Sequence, residues 1–302
     1  MIRNLILIII IIFEQIGVGA PFSVEQPKLS PNGIPPIHDS GTSFLQDINP
    51  LPQRISDSEP PIEARAFMAL DRKTSKVLAE RDSKIRIPMA STTKTMTAVV
   101  VLENSKLNDI VTVSQNAINT YGVGIGLRAG EHLTIESLLY STLLNSSNDS
   151  AVALAEHVSE TEEEFAKLMN KKAKELNLSG SHFVNAAGLD NPEHYMSVSD
   201  LAFLAKYALE NPTFAEIVRT KEKTITSLEG INHNLKNSNK LINGGEYKIL
   251  GVKTGYTEEA GECLVTLAEY QEHQLLTVVL NSPDRFLETK KLLKWSFDSY
   301  RW

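Results

Sequence analysis

Ile87-Pro-Met-Ala-Ser-Thr-Thr-Lys-Thr-Met-Thr-Ala98 places a serine and a lysine three residues apart, just ahead of the apolar run Ala98-Val-Val-Val-Leu102. The small and hydroxyl residues followed by that run predict a helix over 91–102. On such a helix, positions i and i+3 share a face, so the Lys94 amine can approach the Ser91 hydroxyl. Two readings follow. Ser91 can be a helix cap followed by a solvated lysine. Alternatively it is a nucleophile whose proton is taken by a partly desolvated Lys94, with free N–H groups at the helix start to hold a developing oxyanion. No other S-x-x-K occurs in the chain, and Lys94 begins an apolar helix, which favours burial of the lysine.

Downstream segments alternate in texture. Strand-like runs at 64–70 and 76–80 flank the turn residues 71–75, as in a hairpin. Helical spacing of apolar residues marks 134–144, 149–158 and 162–176. Strand-like runs return at 247–253, 263–268 and 275–280. A last helical segment, 285–302, carries Phe286, Leu293, Phe297 and Tyr300 on one stripe, and its lysines read as the solvated side of a core-facing helix. Strands at both ends with helices between predict an α/β (α+β) fold: an antiparallel sheet packed by helices, plus a mainly helical lobe.

Upstream the chain reads differently. An unbroken apolar run, Leu5–Phe13, follows Arg3 and precedes Val18-Gly-Ala20, the layout of a signal peptide or N-terminal anchor over 1–20. Nine apolar residues fall short of the about 20 needed to span a bilayer. Nine of the 13 prolines lie between Pro21 and Pro61, which predicts a linker over 21–61 and a folded domain over 62–302. The net charge of -7 argues against a nucleic-acid partner. A single cysteine, Cys263, allows no intramolecular disulfide and reads as a core residue. No histidine pattern suggests a metal site, and no cofactor is expected; Tyr121-Gly-Val-Gly-Ile-Gly126 lacks the strand and helix context of a phosphate loop.

Two further patterns change the weight of Ser91. Leu143-Leu-Asn-Ser-Ser-Asn-Asp149 puts Ser146 and Asn148 at a junction of two helical segments. Gly251-Val-Lys-Thr-Gly-Tyr256 ends a strand-like run with a cation, a hydroxyl donor and a glycine against which a ligand can lie. S-x-x-K, S-x-N and K-T-G, in that order, form the active-site set of class A β-lactamases and penicillin-binding proteins.

With these residues in place, the sequence from about Ala64 to Trp302 resembles the low-molecular-mass penicillin-binding proteins, D-alanyl-D-alanine carboxypeptidases of the S11 serine peptidase family. The likeness also takes in His182-Phe-Val-Asn-Ala-Ala-Gly-Leu-Asp190, Asn237-Ser-Asn-Lys-Leu241 and Ala260-Gly-Glu-Cys-Leu-Val265. It implies a β-lactamase/transpeptidase-like fold and a serine peptidase acting on peptidoglycan stem peptides outside the cytoplasm, with β-lactam antibiotics as covalent ligands and membrane contact at most through the N-terminus. Ser91, Lys94 and Ser146 would be catalytic. Asn148, Lys253, Thr254, Gly255 and Tyr256 would bind substrate, with the backbone N–H groups of Ser91 and Tyr256 facing the oxyanion. The stretch 121–126 would border the cleft and be mobile there. Rivals are an endopeptidase of the same family, a β-lactamase and a non-catalytic wall-binding module. The β-lactamase pattern E-x-x-L-N is missing, since Ala173 stands where its glutamate would precede Leu176-Asn177. Some family members continue into a β-rich domain and an anchor helix, whereas the residues after Gly255 suffice here for the last strands and helix alone.

Overall fold

A computed structural model describes residues 51–302. The expected leader over 1–20 and most of the Pro-rich stretch lie outside the described residues.

In chain order the elements are β1 (Gln53–Arg54), β2 (Ala66–Asp71), β3 (Val77–Arg81), α1 (Lys94–Asn104), β4 (Ile110–Thr112), α2 (Gln115–Ile118) and β5 (His132–Thr134). Then come α3 (Ile135–Tyr140), α4 (Asn148–Ser159), α5 (Glu162–Glu175), α6 (Val198–Ala208), α7 (Pro212–Arg219), β6 (Glu222–Thr226) and β7 (Asn232–Lys236). The chain closes with β8 (Lys248–Thr257), β9 (Gly261–Tyr270), β10 (His273–Ser282), α8 (Arg285–Ser299) and β11 (Tyr300–Arg301).

Five strands make one antiparallel sheet in the order β3-β2-β10-β9-β8. Its period-2 alternation divides the core between two faces. Phe67, Ala69, Leu275 and Val279 point towards α8, where they meet Leu292, Leu293 and Trp295. Ala66, Met68, Leu70, Leu276, Val278 and Leu280 point the other way, into the larger core shared with α1, α4, α5 and α6. Each fully buried Leu or Phe contributes about 1.5–3 kcal/mol by leaving water, so both faces are strongly held. β8 is an edge strand, and the Ser91 turn packs beside it. The fold is the expected one: an antiparallel sheet covered by helices, with a helical lobe beyond its β8 edge.

Local chemistry explains several boundaries. Asp284 caps α8 by accepting from the N–H groups of Phe286 and Leu287, and Ser197 caps α6 through the Asp200 N–H. Asn211 caps α7, with Pro212 at its first turn. The segments α6, α7 and the β6–β7 hairpin add to the elements expected from sequence.

Three expectations change. The folded unit begins ahead of residue 62: β1 pairs with β11, the Ile55 N–H donates to Ser299 O at 2.8 Å, and the Trp295 indole donates to Ser58 O at 3.0 Å. Prolines 52 and 60 are buried, so this end of the Pro-rich stretch packs as part of the domain rather than acting as linker. Tyr300 leaves the helical stripe, because α8 ends at Ser299 and Tyr300 enters β11, its hydroxyl bonded to Leu78 O. Finally, Lys253-Thr-Gly255 lies inside β8 rather than at its end, since pairing with β9 continues to Thr257.

Candidate active site

Ser91 sits in a 3-10 turn, Ala90–Thr93, that leads into α1. Two hydroxyls tie the turn back on itself: Thr92 Oγ1 donates to Met89 O at 2.6 Å and Thr93 Oγ1 to Ala90 O at 2.8 Å. Ala90 holds φ +48°, a left-handed conformation that costs a non-glycine residue about 1–3 kcal/mol and is held only where the surroundings enforce it. Ser91 is not a helix cap. Thr93 occupies that position, without a side-chain cap bond, and the Ser91 hydroxyl faces Lys94 instead.

The Lys94 amine is fully buried and has three neighbours: Ser91 Oγ at 2.8 Å, Asn148 Oδ1 at 2.7 Å and Ala187 O at 2.6 Å. The last two can only accept hydrogen bonds. A neutral amine gives them its two protons and turns its lone pair to Ser91; an ammonium donates to all three. Burial lowers the Lys94 pKa to about 7, against the opposing pull of Asp149 and Glu162. The neutral form is therefore accessible near neutral pH. Asn148 is fixed in this orientation because its Nδ2 donates to Tyr121 O at 2.6 Å.

Ser146 follows the π-helical turn Ser141–Asn145 and takes φ +66°, which carries it out of the helical path before α4 begins. From there its Oγ accepts from Lys253 Nζ at 2.8 Å. Lys253 is buried too, also bonds Thr254 O at 2.9 Å, and is held well below the ordinary lysine range by burial, with the charges of Lys94 and Arg285 adding to the effect. Thr254 Oγ1 lies 2.7 Å from Ser238 Oγ, and Tyr256 is exposed. Gly255 is required by close approach: a Cβ there would stand 3.0 Å from Met89 O and 3.1 Å from Ser91 N. The absence of a side chain lets the edge strand lie against the Ser91 turn.

The eight residues singled out in the sequence thus occur on the Ser91 turn and α1, the α3–α4 junction and β8, and direct bonds link Ser91, Lys94 and Asn148 in one group and Ser146 and Lys253 in another. Three contributors were not foreseen. The Ala187 carbonyl binds Lys94 through main chain, which leaves no side-chain signature. Ser238 belongs to the quoted Asn237-Ser-Asn239, yet its place beside Thr254 is a tertiary fact. Arg285, at the start of α8, donates from Nη1 to Gly255 O at 2.6 Å, and its buried Nε has no partner.

Neighbouring groups brace the turn. His194 Nδ1 accepts from the Val184 N–H, so its Nε2 carries the proton and donates to Thr93 Oγ1 at 2.8 Å. Burial, helped by His182 and Lys94, lowers its pKa to about 4, which keeps it neutral. The stretch 121–126 lies against the start of α4: the Asn148 N–H donates to Val123 O at 2.6 Å, and Asp149 Oδ2 accepts from the Ile125 N–H. Cys263 is fully buried, and burial pushes its thiol up to about 12, consistent with a core role. A cavity of about 810 Å³ bordered by Arg72, Phe203, Tyr207 and Trp302 lies elsewhere and shares none of the eight residues.

Comparison with known proteins agrees with this geometry. The sequence profile of Peptidase_S11, described as D-alanyl-D-alanine carboxypeptidase, matches residues 53–284. D-alanyl-D-alanine carboxypeptidase DacF of Bacillus subtilis (strain 168) is 36% identical over 246 residues, 79% of this chain and 63% of the relative. D-alanyl-D-alanine carboxypeptidase DacC of Escherichia coli (strain K12) is 33% identical over 253 residues, 79% of this chain and 62% of the relative. The chain thus spans less than two thirds of the length of these curated relatives. The crystal structure of the Streptomyces K15 DD-transpeptidase matches with a TM-score of 0.75 at 30% identity, covering 80% of this chain and 99% of that one. With a profile match across most of its described residues and a shared fold, the chain belongs to the D-alanyl-D-alanine carboxypeptidase family, Peptidase_S11.

Proposed function

We propose that this protein is a serine-type D-alanyl-D-alanine carboxypeptidase that removes the terminal D-alanine of peptidoglycan stem peptides through an ester on Ser91. The observation that carries the reading is the Lys94 amine, buried and 2.8 Å from Ser91 Oγ, with two acceptors holding its other protons.

In the proposed reaction Lys94 takes the Ser91 proton as Oγ attacks the carbonyl carbon of the penultimate D-alanine. The resulting oxyanion lies between the backbone N–H groups of Ser91 and Tyr256. The C–N bond then breaks, and the proton passes to the departing amine by way of Ser146. Water attacks the ester, releasing the shortened peptide and restoring the Ser91 hydroxyl. Asn148 holds the peptide backbone. Lys253, Thr254 and Gly255 receive the terminal carboxylate, whose negative charge favours the Lys253 ammonium that burial disfavours, and Arg285 adds a second cation beside the Gly255 carbonyl. A cationic pocket of this kind explains a requirement for a free C-terminus. A β-lactam, with its carboxylate in the same place, acylates the same serine.

The catalytic unit in this reading extends from the β1 segment to the end of the chain, and it acts on the outer side of the cytoplasmic membrane. No helix among the described residues is long and apolar enough to cross a membrane. Digestion of purified muropeptides, followed by mass analysis, tests the reading. Loss of one alanine from pentapeptide monomers supports it. Cleavage of cross-linked dimers alone would instead indicate an endopeptidase, unchanged muropeptides a wall-binding module, and rapid turnover of penicillin a β-lactamase.

A further inference from the structure

The proposed reaction makes no use of Glu162, yet this carboxylate is half buried and bonded to the loop that also binds the Lys94 amine. It stands in the first turn of α5, where Thr161 already provides the cap by accepting from the Glu164 N–H. Helix capping therefore does not account for its position. Glu162 Oε1 accepts from the Ala186 N–H at 2.8 Å. The Ala186 carbonyl accepts from Thr97 Oγ1 of α1 at 2.7 Å, and the next carbonyl, Ala187 O, is the one that accepts from Lys94 Nζ. Further along α5, Asn170 clamps the same loop through both the N–H and the carbonyl of Phe183. The strand of loop from 183 to 187 is thus gripped by α5 on one side and α1 on the other. Rotation of the Ala186–Ala187 unit would withdraw Ala187 O and free a Lys94 proton, so the lone pair would lose its aim at Ser91.

We propose that Glu162 is a positioning residue for acylation of Ser91: its carboxylate fixes the Ala186 N–H and, through it, the Ala187 carbonyl that orients the Lys94 amine. The inference rests on Lys94 acting as the base, as in the reaction above. Its charge has a second effect. Asp149 on α4 and Glu162 on α5 favour the Lys94 ammonium, while Lys253 on β8 and His194 in the loop before α6 face the same region and carry no compensating negative charge. Glu162 itself is raised above the ordinary glutamate range by burial and by Glu163 and Glu156, with the Ala186 N–H and Lys94 pulling the other way. Removing its charge withdraws support from the ammonium, so the neutral amine persists to lower pH.

The test is the rate of penicillin acylation against pH, followed by intact mass, for the wild type, Glu162→Gln and Glu162→Ala. Glutamine keeps an acceptor for the Ala186 N–H and loses the charge; alanine loses both. The expected result for E162Q is a plateau close to wild type and an acid limb displaced to lower pH, with acylation about threefold faster at a fixed pH on that limb. E162A shows the same displacement with a plateau about tenfold lower. A displaced limb is an effect that general loosening of the fold does not produce, and E162Q keeps the test valid if E162A folds poorly. An E162A plateau equal to that of wild type overturns the positioning role, and an unmoved limb in E162Q overturns the charge effect; both leave the Ser91–Lys94 chemistry intact. A wild type that is never labelled overturns that chemistry and this inference with it.

Discussion

Three acceptors surround the Lys94 amine, and of these only the Ser91 hydroxyl also carries a proton to give. In the proposed reaction this asymmetry decides the direction of transfer. Lys94→Ala is expected to lower penicillin acylation by about 10²–10⁴, measured as the second-order rate constant, with the fold retained by circular dichroism. The pH dependence has a definite sign. With a Lys94 pKa of about 7, the acylation rate should fall about tenfold per unit below that value, as the lone pair is lost, and level off above it. Stability follows a different window. Between about 7 and the ordinary lysine value of 10.5, the unfolded chain holds a proton that the folded chain lacks. The Lys94 contribution to stability therefore rises with pH there, by about 1.4 kcal/mol per unit, and is flat below. The difference in unfolding free energy between wild type and Lys94→Met should show this slope; a constant difference from pH 7 to 10 would contradict it. The serine–lysine pair is legible in the sequence because i and i+3 share a helical face. The Ala187 carbonyl is not, since every residue has one and only the fold selects which is used.

At the scale of elements, β8 and the Ser91 turn lie against each other at the proposed site. Gly255→Ala places a methyl group 3.0–3.1 Å from Met89 O, Ala90 Cβ and Ser91 N, so the strand or the turn must give way. Acylation is expected to drop by about 10- to 100-fold with a much smaller loss of stability, measured by labelling rate and thermal melt on the same sample. Equal rates in variant and wild type would mean that the close approach is unnecessary. The strand itself was legible as far as Lys253, but its continuation through Thr254-Gly-Tyr-Thr257 was not: polar side chains and a glycine read as a turn, and pairing with β9 overrides that local signal. The β6–β7 hairpin is harder still to see, as its strands bury only Ile225, His233 and Leu235. α6 was not foreseen either, although it buries Val198, Leu201, Ala202, Leu204, Ala205 and Ala208 at helical spacing behind a serine cap.

For the whole molecule, the stretch from Leu51 to Pro61 joins the N-terminal side of the domain to its last helix and strand. Its prolines suggested a linker, because proline content is a local property and says nothing of what the segment packs against. Its bonds to Ser299 and Trp295 and the β1–β11 pairing are long-range. A chain beginning at Glu63 should melt at least about 5 °C lower than one beginning at Leu51, given about 0.5–1.5 kcal/mol for each net hydrogen bond lost; equal melting temperatures would show the segment to be idle. The proposed active-site set has the same long-range character. Positions 91, 146 and 253 are far apart in sequence, and their order was readable, while the sheet edge and helical lobe that gather them were inferred only in outline. The most direct test of the central claim is the mass of the protein after exposure to penicillin, with peptide mapping of the adduct. A single adduct on Ser91, absent from Ser91→Ala and formed ever more slowly as the pH falls below about 7, is the predicted result. An adduct on another residue, or none on the folded wild type, would contradict it.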